Sequence, residues 1–227
     1  YNRQTTVFPG DFPYQRGAGH VNLNHNSSDR RFQAVLSLNY TNDRSDFFPQ
    51  DLTREALLLP PNAPSLYDEA GKINWKDGTF SNPLVYTART YRRNTENAVS
   101  HLNLSYEIIP RLTIKGNFGY TKLTAEELNT FPVSANSPTS GITESRSRFA
   151  NHGVNTWIIE PQATYGLPIK EGVFQFLLGA TIQQSVTSGQ DITGTGFSSD
   201  ALLENMQAAL DLTATTDYTQ YRYGALF

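Results

Sequence analysis

Apolar and polar residues alternate strictly along several stretches of this chain. In residues 32–40 every second position is apolar, from Phe32 through Leu36 to Tyr40. The intervening positions from 31 to 41 are polar or charged, with Val35 as the exception. A period of two residues is the pattern of a β-strand that has one apolar face and one polar face. Because the same pattern recurs along the chain, we expect an all-β protein.

The alternation predicts three strand pairs and the start of a further strand. The pairs span 18–42, 96–123 and 154–187, and the further strand begins at 221–227, with Tyr221, Tyr223, Ala225 and Phe227. Short turns at 27–29, 109–111 and 166–172 join the strands within each pair. Long loops at 43–94, 124–152 and 188–219 follow the pairs. Pro161 cannot donate a hydrogen bond to a ladder, so we expect a bulge or break there. In the first long loop, Asp51 is predicted to cap a helical turn at 51–58.

Three features favour a membrane barrel over a soluble sandwich. The predicted strands of roughly 11–14 residues exceed the 5–6 typical of globular proteins. Their connections alternate between short and long, as periplasmic turns and extracellular loops do in outer-membrane barrels. Aromatic residues also gather near predicted strand ends, where interfacial girdles form; these are Phe32, Tyr40, Tyr106, Phe118, Tyr120, Trp157, Tyr165, Phe174 and Phe176. We therefore predict about six to seven strands of an antiparallel up-and-down transmembrane β-barrel in the bacterial outer membrane.

Composition narrows the class of protein further. The net charge of −3 gives no basic surface for nucleic acid, and the absence of cysteine excludes a disulfide framework. No apolar run is long enough for a transmembrane helix. The polar positions fit a wet lumen, and they include Arg31, Gln33, His101, Asn103, Glu107, Lys115, Asn117, Glu160 and Gln162. Because about eight strands enclose only side chains, a water-filled lumen requires strands beyond those predicted. We expect this chain to be an internal piece of a longer protein.

Several segments resemble the SusC/RagA family of TonB-dependent outer-membrane transporters. They are VNLNHNSSDRRFQAVLSLNYT (21–41), ALLLPPNAPSLYDEAGKINW (56–75), TFSNPL (79–84), LSYEIIPRLTIKGNFGYT (104–121) and IIEPQATYG (158–166). The resemblance covers nearly the whole chain in the family's order. It implies that residues 1–227 are an early part of a barrel of about 22 strands, a size class with a plugged lumen.

The resemblance also implies partners and cargo. Family members carry an N-terminal plug domain and a TonB box, and neither is present in this sequence, so TonB would act through the missing N-terminal part. A SusD-like surface lipoprotein closes over the extracellular loops. Outer-membrane lipid surrounds the barrel, and the cargo is an oligosaccharide or a peptide.

Three aromatic residues in the first long loop are candidate contacts for a ligand or for the lid protein: Tyr67, Trp75 and Phe80. The competing interpretation, which the sequence favours, is that they pack the loop against itself. Asp68, Glu69 and Asp77 lack the regular ligand spacing of a calcium loop. The four histidines, His20, His25, His101 and His152, are scattered without metal-ligand spacing. Glu126 and Glu127 are adjacent and are expected in a solvated loop. We predict no catalytic residue, no cofactor, no metal site and no enzyme activity.

Two other functions remain open from the sequence. The chain could be a soluble β-sandwich that binds glycans through its long loops, or a structural or adhesive surface protein. A sandwich would bury Phe32, Leu36, Leu38 and Phe176 beneath a second sheet. A barrel wall would leave them bare on one face.

Overall fold

The computed structural model describes residues 1–7, 10–47 and 50–227 of the chain. Within this part, eight strands form one antiparallel sheet, and each strand pairs with the next along the chain. The strands are β1 (Asn2–Thr5), β2 (Pro13–Asn26), β3 (Phe32–Phe47), β4 (Tyr91–Ile109), β5 (Leu112–Phe131), β6 (Arg146–Ile169), β7 (Gly172–Thr195) and β8 (Asp211–Leu226). The prediction of an all-β, up-and-down antiparallel segment is confirmed, and the described sheet has eight strands rather than six to seven.

Helical structure is confined to the long connections. One α-helix, α1, spans Thr53–Leu58, and single 3-10 turns span Lys76–Gly78, Pro83–Ala88, Val133–Ala135, Asp200–Leu202 and Met206–Ala208. Leu52 is the N-cap residue of α1, but the Asp51 carboxylate accepts the first amide of the helix, from Thr53, at 2.8 Å. Asp51 thus satisfies a helix donor from one position before the cap. No helix in the described part of the chain is long and apolar enough to cross a bilayer.

The strands continue further than the alternation predicts. The long connections contract to residues 48–90, 132–145 and 196–210, and the chain before residue 18 contains β1 and the start of β2, residues 13–17. In these extensions most residues on both faces are polar, and the apolar residues do not alternate regularly along each strand. The hydrophobic pattern therefore disappears although the backbone ladder continues. The short turns join the strands at one end, which we name the turn end of the sheet. The long connections join them at the opposite end, which we name the loop end.

The short turns use residues that tolerate a left-handed backbone or bond their own main chain. Arg30 and Arg111 have φ of 56° and 75° in the first two turns. In the first turn, the Asp29 carboxylate accepts from the Ser27 hydroxyl and the Arg31 amide. These bonds hold the pKa of Asp29 below its usual value, the Ser27 hydroxyl being the larger cause. The third turn consists of Lys170 and Glu171, because β6 continues to Ile169.

The predicted interruption at Pro161 is present between β6 and β7. Register pairs stop at Ile159–Ile182 and resume at Gln162–Gly179 with the same offset. On its other side Pro161 still pairs with Gly116 of β5. A proline lacks the N–H that the β6–β7 ladder needs at this point. The result is a local break without a register shift.

The register places the two sets of alternating residues on opposite faces of the sheet. One row of partners runs Leu23, Leu36, Leu102, Phe118, Ile159, Ile182, and the row beside it on the other face runs Val35, Asn103, Asn117, Glu160. We name these the apolar face and the polar face. In the described residues no second sheet covers either face.

Candidate functional site: the two faces and the loop end of the sheet

The apolar face carries an exposed hydrophobic band between two belts of aromatic rings. Tyr40, Tyr120 and Trp157 occupy the belt nearer the loop end, and Phe32, Tyr106, Tyr165, Phe174 and Phe176 occupy the belt nearer the turn end. Tyr40 and Phe32 lie eight residues apart on β3. At about 3.4 Å per residue this is about 27 Å along a strand. At the tilt of about 40° found in transmembrane barrels, that length spans about 21 Å across the bilayer, somewhat less than their roughly 25 Å apolar band.

Aliphatic side chains fill the space between the belts and remain exposed. Leu38 is 39% exposed, Ile182 49% and Leu178 68%. Phe118 lies in the middle of the band beside Ile159, so its expected place near a strand end is wrong. An exposed apolar surface this extensive requires an apolar partner.

The polar face across the same stretch bears hydrogen-bonding side chains. Gln33, Ser105, Lys115 and Gln162 form one cross-strand row. The Thr181 hydroxyl donates to Glu160 at 3.2 Å, and Thr156 and Ser185 bond each other at 2.8 Å. These residues face away from the apolar band, as the sequence predicts. They suit contact with water.

Strand β8 departs from this division. Tyr221, Tyr223 and Phe227 pair with Ser185, Gln183 and Gly179, which lie on the polar face. Gly179 has no side chain to obstruct Phe227, whose ring lies where a β-carbon would project. The apolar face of β8 instead carries Gln220, Arg222 and Gly224. The aromatic residues that end the sequence thus form a column on the polar face.

An ion-pair network crosses the polar face near the loop end. Glu127 lies between Arg93 at 3.4 Å and Arg148 at 3.6 Å, and Arg148 also contacts Asp191. His152 approaches Asp191 at 3.8 Å. Glu127 is therefore part of a strand and of a charge network, and the expectation that Glu126 and Glu127 lie in a loop is wrong. The two carboxylates project from opposite faces of β5.

Further charges on this face are also paired. Arg16 lies 3.4 Å from Asp43, which accepts from the Tyr14 hydroxyl at 2.8 Å. No three His, Cys, Asp or Glu side chains within the described ranges are grouped to hold a metal ion. These ion pairs link neighbouring strand extensions and give this face charges of both signs.

The 48–90 loop is organised around one buried amide. Asn82 is 1% exposed, and its amide nitrogen donates to the carbonyls of Leu66 at 2.7 Å and Asn74 at 2.8 Å. Its oxygen accepts from the Leu84 amide at 2.9 Å. One side chain thereby ties together three separate parts of the loop. Sequence reasoning missed Asn82, although an asparagine immediately before Pro83 is a recognisable turn signal.

The three predicted contact residues occupy different places in this loop. Trp75 lines an open cleft of about 620 Å³ between the 48–90 and 132–145 loops, together with Lys72, Lys76 and Thr139. Phe80 lines a separate cleft against α1. Tyr67, 52% exposed, forms an isolated bridge with Ile73. The structure does not bring the three aromatic residues into one site, and their role in ligand contact stays a prediction.

The Trp75 cleft depends on a close approach of its two loops. Gly78 has φ of 78°, and a β-carbon at this position would overlap the Thr139 hydroxyl. Glycine both adopts this backbone conformation and leaves the space that Thr139 fills. Lys72, Lys76, Asp68 and Asp77 place charges of both signs at the cleft. The cleft can accept a ligand that carries polar groups and an apolar surface.

The 196–210 loop folds over the apolar-face side of the strand extensions. The Ser147 hydroxyl donates to the Leu203 carbonyl at 2.6 Å, and Leu203 is 3% exposed. Asp200 accepts from the Ser145 hydroxyl and from the Ser134 amide. Burial acts to raise the pKa of Asp200, but these hydrogen bonds outweigh it and hold the pKa below its usual value. Asp200 thus anchors two loops together.

Comparison with known proteins gives a likeness in structure. No protein-family model and no curated protein matches the sequence. Among solved structures, a chain of the RagAB peptide importer in the "open-open" state matches with a TM-score of 0.67 and 16% identity. The RagAB peptide transporter matches at 0.69 and 16%, and the importer in the "closed-closed" state at 0.64 and 14%.

Each match covers nearly all of this chain but only a small part of the matched chain. The chain is covered to 95%, 95% and 93% in the three comparisons, and it spans 25% of the length of each matched chain. At this identity the likeness concerns the fold. It supports the SusC/RagA resemblance at the level of a fragment, and this chain folds like a part of a peptide importer.

Proposed function

We propose that this chain forms part of the barrel wall of a SusC/RagA-like, TonB-dependent nutrient transporter in a bacterial outer membrane. The observation that carries the proposal is the exposed apolar band between two aromatic belts. The opposite face of the same strands is polar. A wall between lipid and a wet lumen needs this combination.

The outer edge of strand β8 also supports a longer wall. The last described strand, β8, pairs on one side with β7 along 16 residues, and its other edge has no strand partner among the described residues. An unpaired backbone edge costs several kcal/mol per group in the hydrocarbon core. Further strands would pair with this edge and close the barrel. The similarity to a quarter of a RagAB chain agrees with this arrangement.

In the proposed transporter, the polar face lines the route of the cargo and the loops gather it outside the cell. A SusD-like lipoprotein would cover the loop end, and a plug and TonB box in another part of the protein would couple uptake to TonB. The peptide importer likeness favours a peptide cargo, and oligosaccharides are the alternative. The Trp75 cleft supplies an aromatic surface together with charged groups that suits either one.

The orientation of the wall can be tested by spin labelling. Because the chain has no cysteine, Leu102→Cys and Asn103→Cys each give a single labelling site within this chain. In the protein that contains it, reconstituted in bilayers, we expect the label at 102 to collide with oxygen in lipid. The label at 103 should collide with a water-soluble relaxation agent. In a soluble sandwich, the label at 102 would be shielded from both agents, and that result would overturn the proposal.

The cargo role of the cleft needs a separate measurement. We expect Trp75→Ala in the full transporter to weaken binding of a peptide pool or of an oligosaccharide mixture by roughly tenfold, because it removes a large apolar contact. Tyr218→Ala removes an aromatic residue that is 66% exposed outside the cleft and serves as the control. Equal binding by wild type and Trp75→Ala would remove Trp75 from the proposed site and leave the wall proposal intact.

A further inference from the structure

A cavity outside the wall has no place in the proposed transport route. It has a volume of about 440 Å³ and lies on the apolar-face side of the sheet, nearer the loop end than the aromatic belts. Strands β4 to β7 form its floor, and Met206 of the 196–210 loop reaches over it. Side chains from four neighbouring strands therefore meet beneath one loop.

One row of the floor consists entirely of polar side chains. Cross-strand partners run in register from β3 to β8 as Arg44, Asn94, Glu126, Asn151, Gln190 and Thr216. We name this row the polar rung. In the described structure, no side chain of the polar rung makes a hydrogen bond or ion pair with another residue. Strands lie about 4.8 Å apart, so the rung presents evenly spaced and unused donors and acceptors.

The next row toward the loop end is apolar at its centre. Leu128, Phe149 and Ile192 are consecutive partners on β5, β6 and β7. Arg92 precedes them on β4, and its guanidinium is occupied by Asp46 at 2.9 Å and Glu204 at 3.1 Å. This second pair also ties the 196–210 loop to the sheet. The cavity thus combines a line of amides and a carboxylate with an adjoining apolar surface.

These features select the chemistry of a ligand. The strands of the floor are paired on both edges, so an extended peptide finds no backbone edge to join. Arg92, the cation among the lining residues, is already paired with Asp46 and Glu204, so the cavity does not select for an anion. Three of the free polar side chains on its floor are the uncharged amides of Asn94, Asn151 and Gln190, which lie beside Glu126. A sugar ring has hydroxyl groups that both donate and accept, which amides match, and C–H groups that pack on apolar and aromatic side chains.

We propose that this cavity binds a neutral saccharide, with its hydroxyl groups on Asn94, Glu126, Asn151 and Gln190 and its apolar surface against Phe149 and Met206. Arg44 lies four residues beyond Tyr40 of the aromatic belt, or about 14 Å along the strand. In the proposed membrane orientation, the site lies just outside the bilayer. The saccharide is then either a free oligosaccharide or the sugar part of a membrane glycolipid.

The test compares two probes on the full protein that carries this chain, purified in detergent. One probe is a glycolipid whose oligosaccharide headgroup is uncharged, and the other is the same oligosaccharide without its lipid. We expect Asn151→Ala/Gln190→Ala to weaken saccharide binding by about tenfold, because two hydrogen bonds are lost. Neither side chain has a partner in the described structure, so the variant should fold normally.

The control is Asn62→Ala/Gln207→Ala, which removes the same residue types from exposed positions outside the cavity. Weakened binding of both probes supports a site for the sugar itself. Weakened binding of the glycolipid alone supports the site and identifies a membrane glycolipid as the source of the saccharide. No binding by wild type, or equal binding by both double variants, overturns the proposal. Spin-label accessibility at 102 and 103 is independent of these results, so the wall proposal stands or falls separately.

Discussion

The turn half and the loop half of the sheet are stabilised in different ways. We define the turn half as the strand residues from the turns up to the level of Tyr40, and the loop half as everything beyond that level. Apart from Gly179, the buried residues of the described chain all lie in the loop half. The turn half is one sheet with large apolar side chains exposed on one face.

The difference shows that the two halves bury their side chains against different partners. The loop half buries small side chains such as Ala125, Ala150 and Ser147, and the 196–210 loop bonds to Ser147. The turn half contains no such interior, and its apolar face requires a nonpolar environment supplied from outside. In the proposed transporter, each long strand would therefore run from a loop half that packs against itself to a turn half that faces lipid.

The largest effect is expected from a charge in the apolar band. Leu102→Arg should destabilise the membrane-inserted protein by about 2–4 kcal/mol, because an arginine on the lipid face near the bilayer midplane costs that much. Asn103→Arg, one residue further along β4, should have little effect because it faces the polar side. Denaturant unfolding from lipid vesicles measures both. Equal destabilisation would mean that the two faces see the same environment.

A comparable effect, restricted to the loop half, is expected from Asn82→Ala. The variant leaves the Asn74 carbonyl and the Leu84 amide without their side-chain partner, and the Leu66 carbonyl keeps only its bond from the Asn74 amide. The expected local cost is about 2–3 kcal/mol. Limited proteolysis should cut this loop much faster, while unfolding of the barrel strands stays unchanged. Asn62→Ala, at an exposed position in the same loop, is the control. Loss of barrel stability together with the loop would show that the halves are not independent.

A smaller effect is expected from acid at the Asp200 anchor. The folded pKa of Asp200 lies below its usual value of 3.8. The ionised carboxylate therefore contributes its full stabilisation of the loop anchor above pH 3.8, and this stabilisation is lost as the pH falls through the folded pKa. Protection of the 196–210 amides against hydrogen exchange, corrected for intrinsic rates, should therefore decrease below that range. Asp200→Asn should reduce protection at neutral pH and flatten its acid dependence. Asp77→Asn, in another loop, should change neither.

The smallest effect is expected from the exposed ion pairs of Arg92. Arg92→Gln should cost less than about 1 kcal/mol, because ion pairs near the surface are screened by solvent and salt. Hydrogen exchange near Glu204 should rise slightly, and the difference from wild type should shrink in 1 M salt. A large loss of protection that does not depend on salt would contradict this prediction. It would show that the Arg92 ion pairs are the main attachment of the 196–210 loop to the sheet.

The sequence pattern predicted the turn half well because the features of that half depend on residues close together in the chain. Alternation assigns Leu36 and Asn103 to opposite faces, and Pro161 interrupts a ladder wherever its missing N–H is needed. In the loop half the same reasoning failed. Glu126 and Glu127 were expected in a loop, because this part of β5 has no regular alternation of apolar and polar residues to mark it as a strand.

The candidate sites depend more strongly on distant contacts. Trp75 could be identified from its loop, but its neighbour Thr139 lies in another loop, and Gly78 gives no local sign of the approach. The polar rung joins residues from 44 to 216, whose common level follows only from the cumulative register of six strands. No short segment of sequence encodes such a row.

The sequence by itself determined that most of these strands have one apolar and one polar side, because a period of two follows from the geometry of each strand alone. The short turns made the strands within each predicted pair antiparallel. The tertiary structure alone decided where the strands end, that the column ending in Phe227 lies on the polar face, and that four loop-half strands share one cavity. These features depend on pairing offsets and loop packing between residues far apart in the chain, which local patterns do not record.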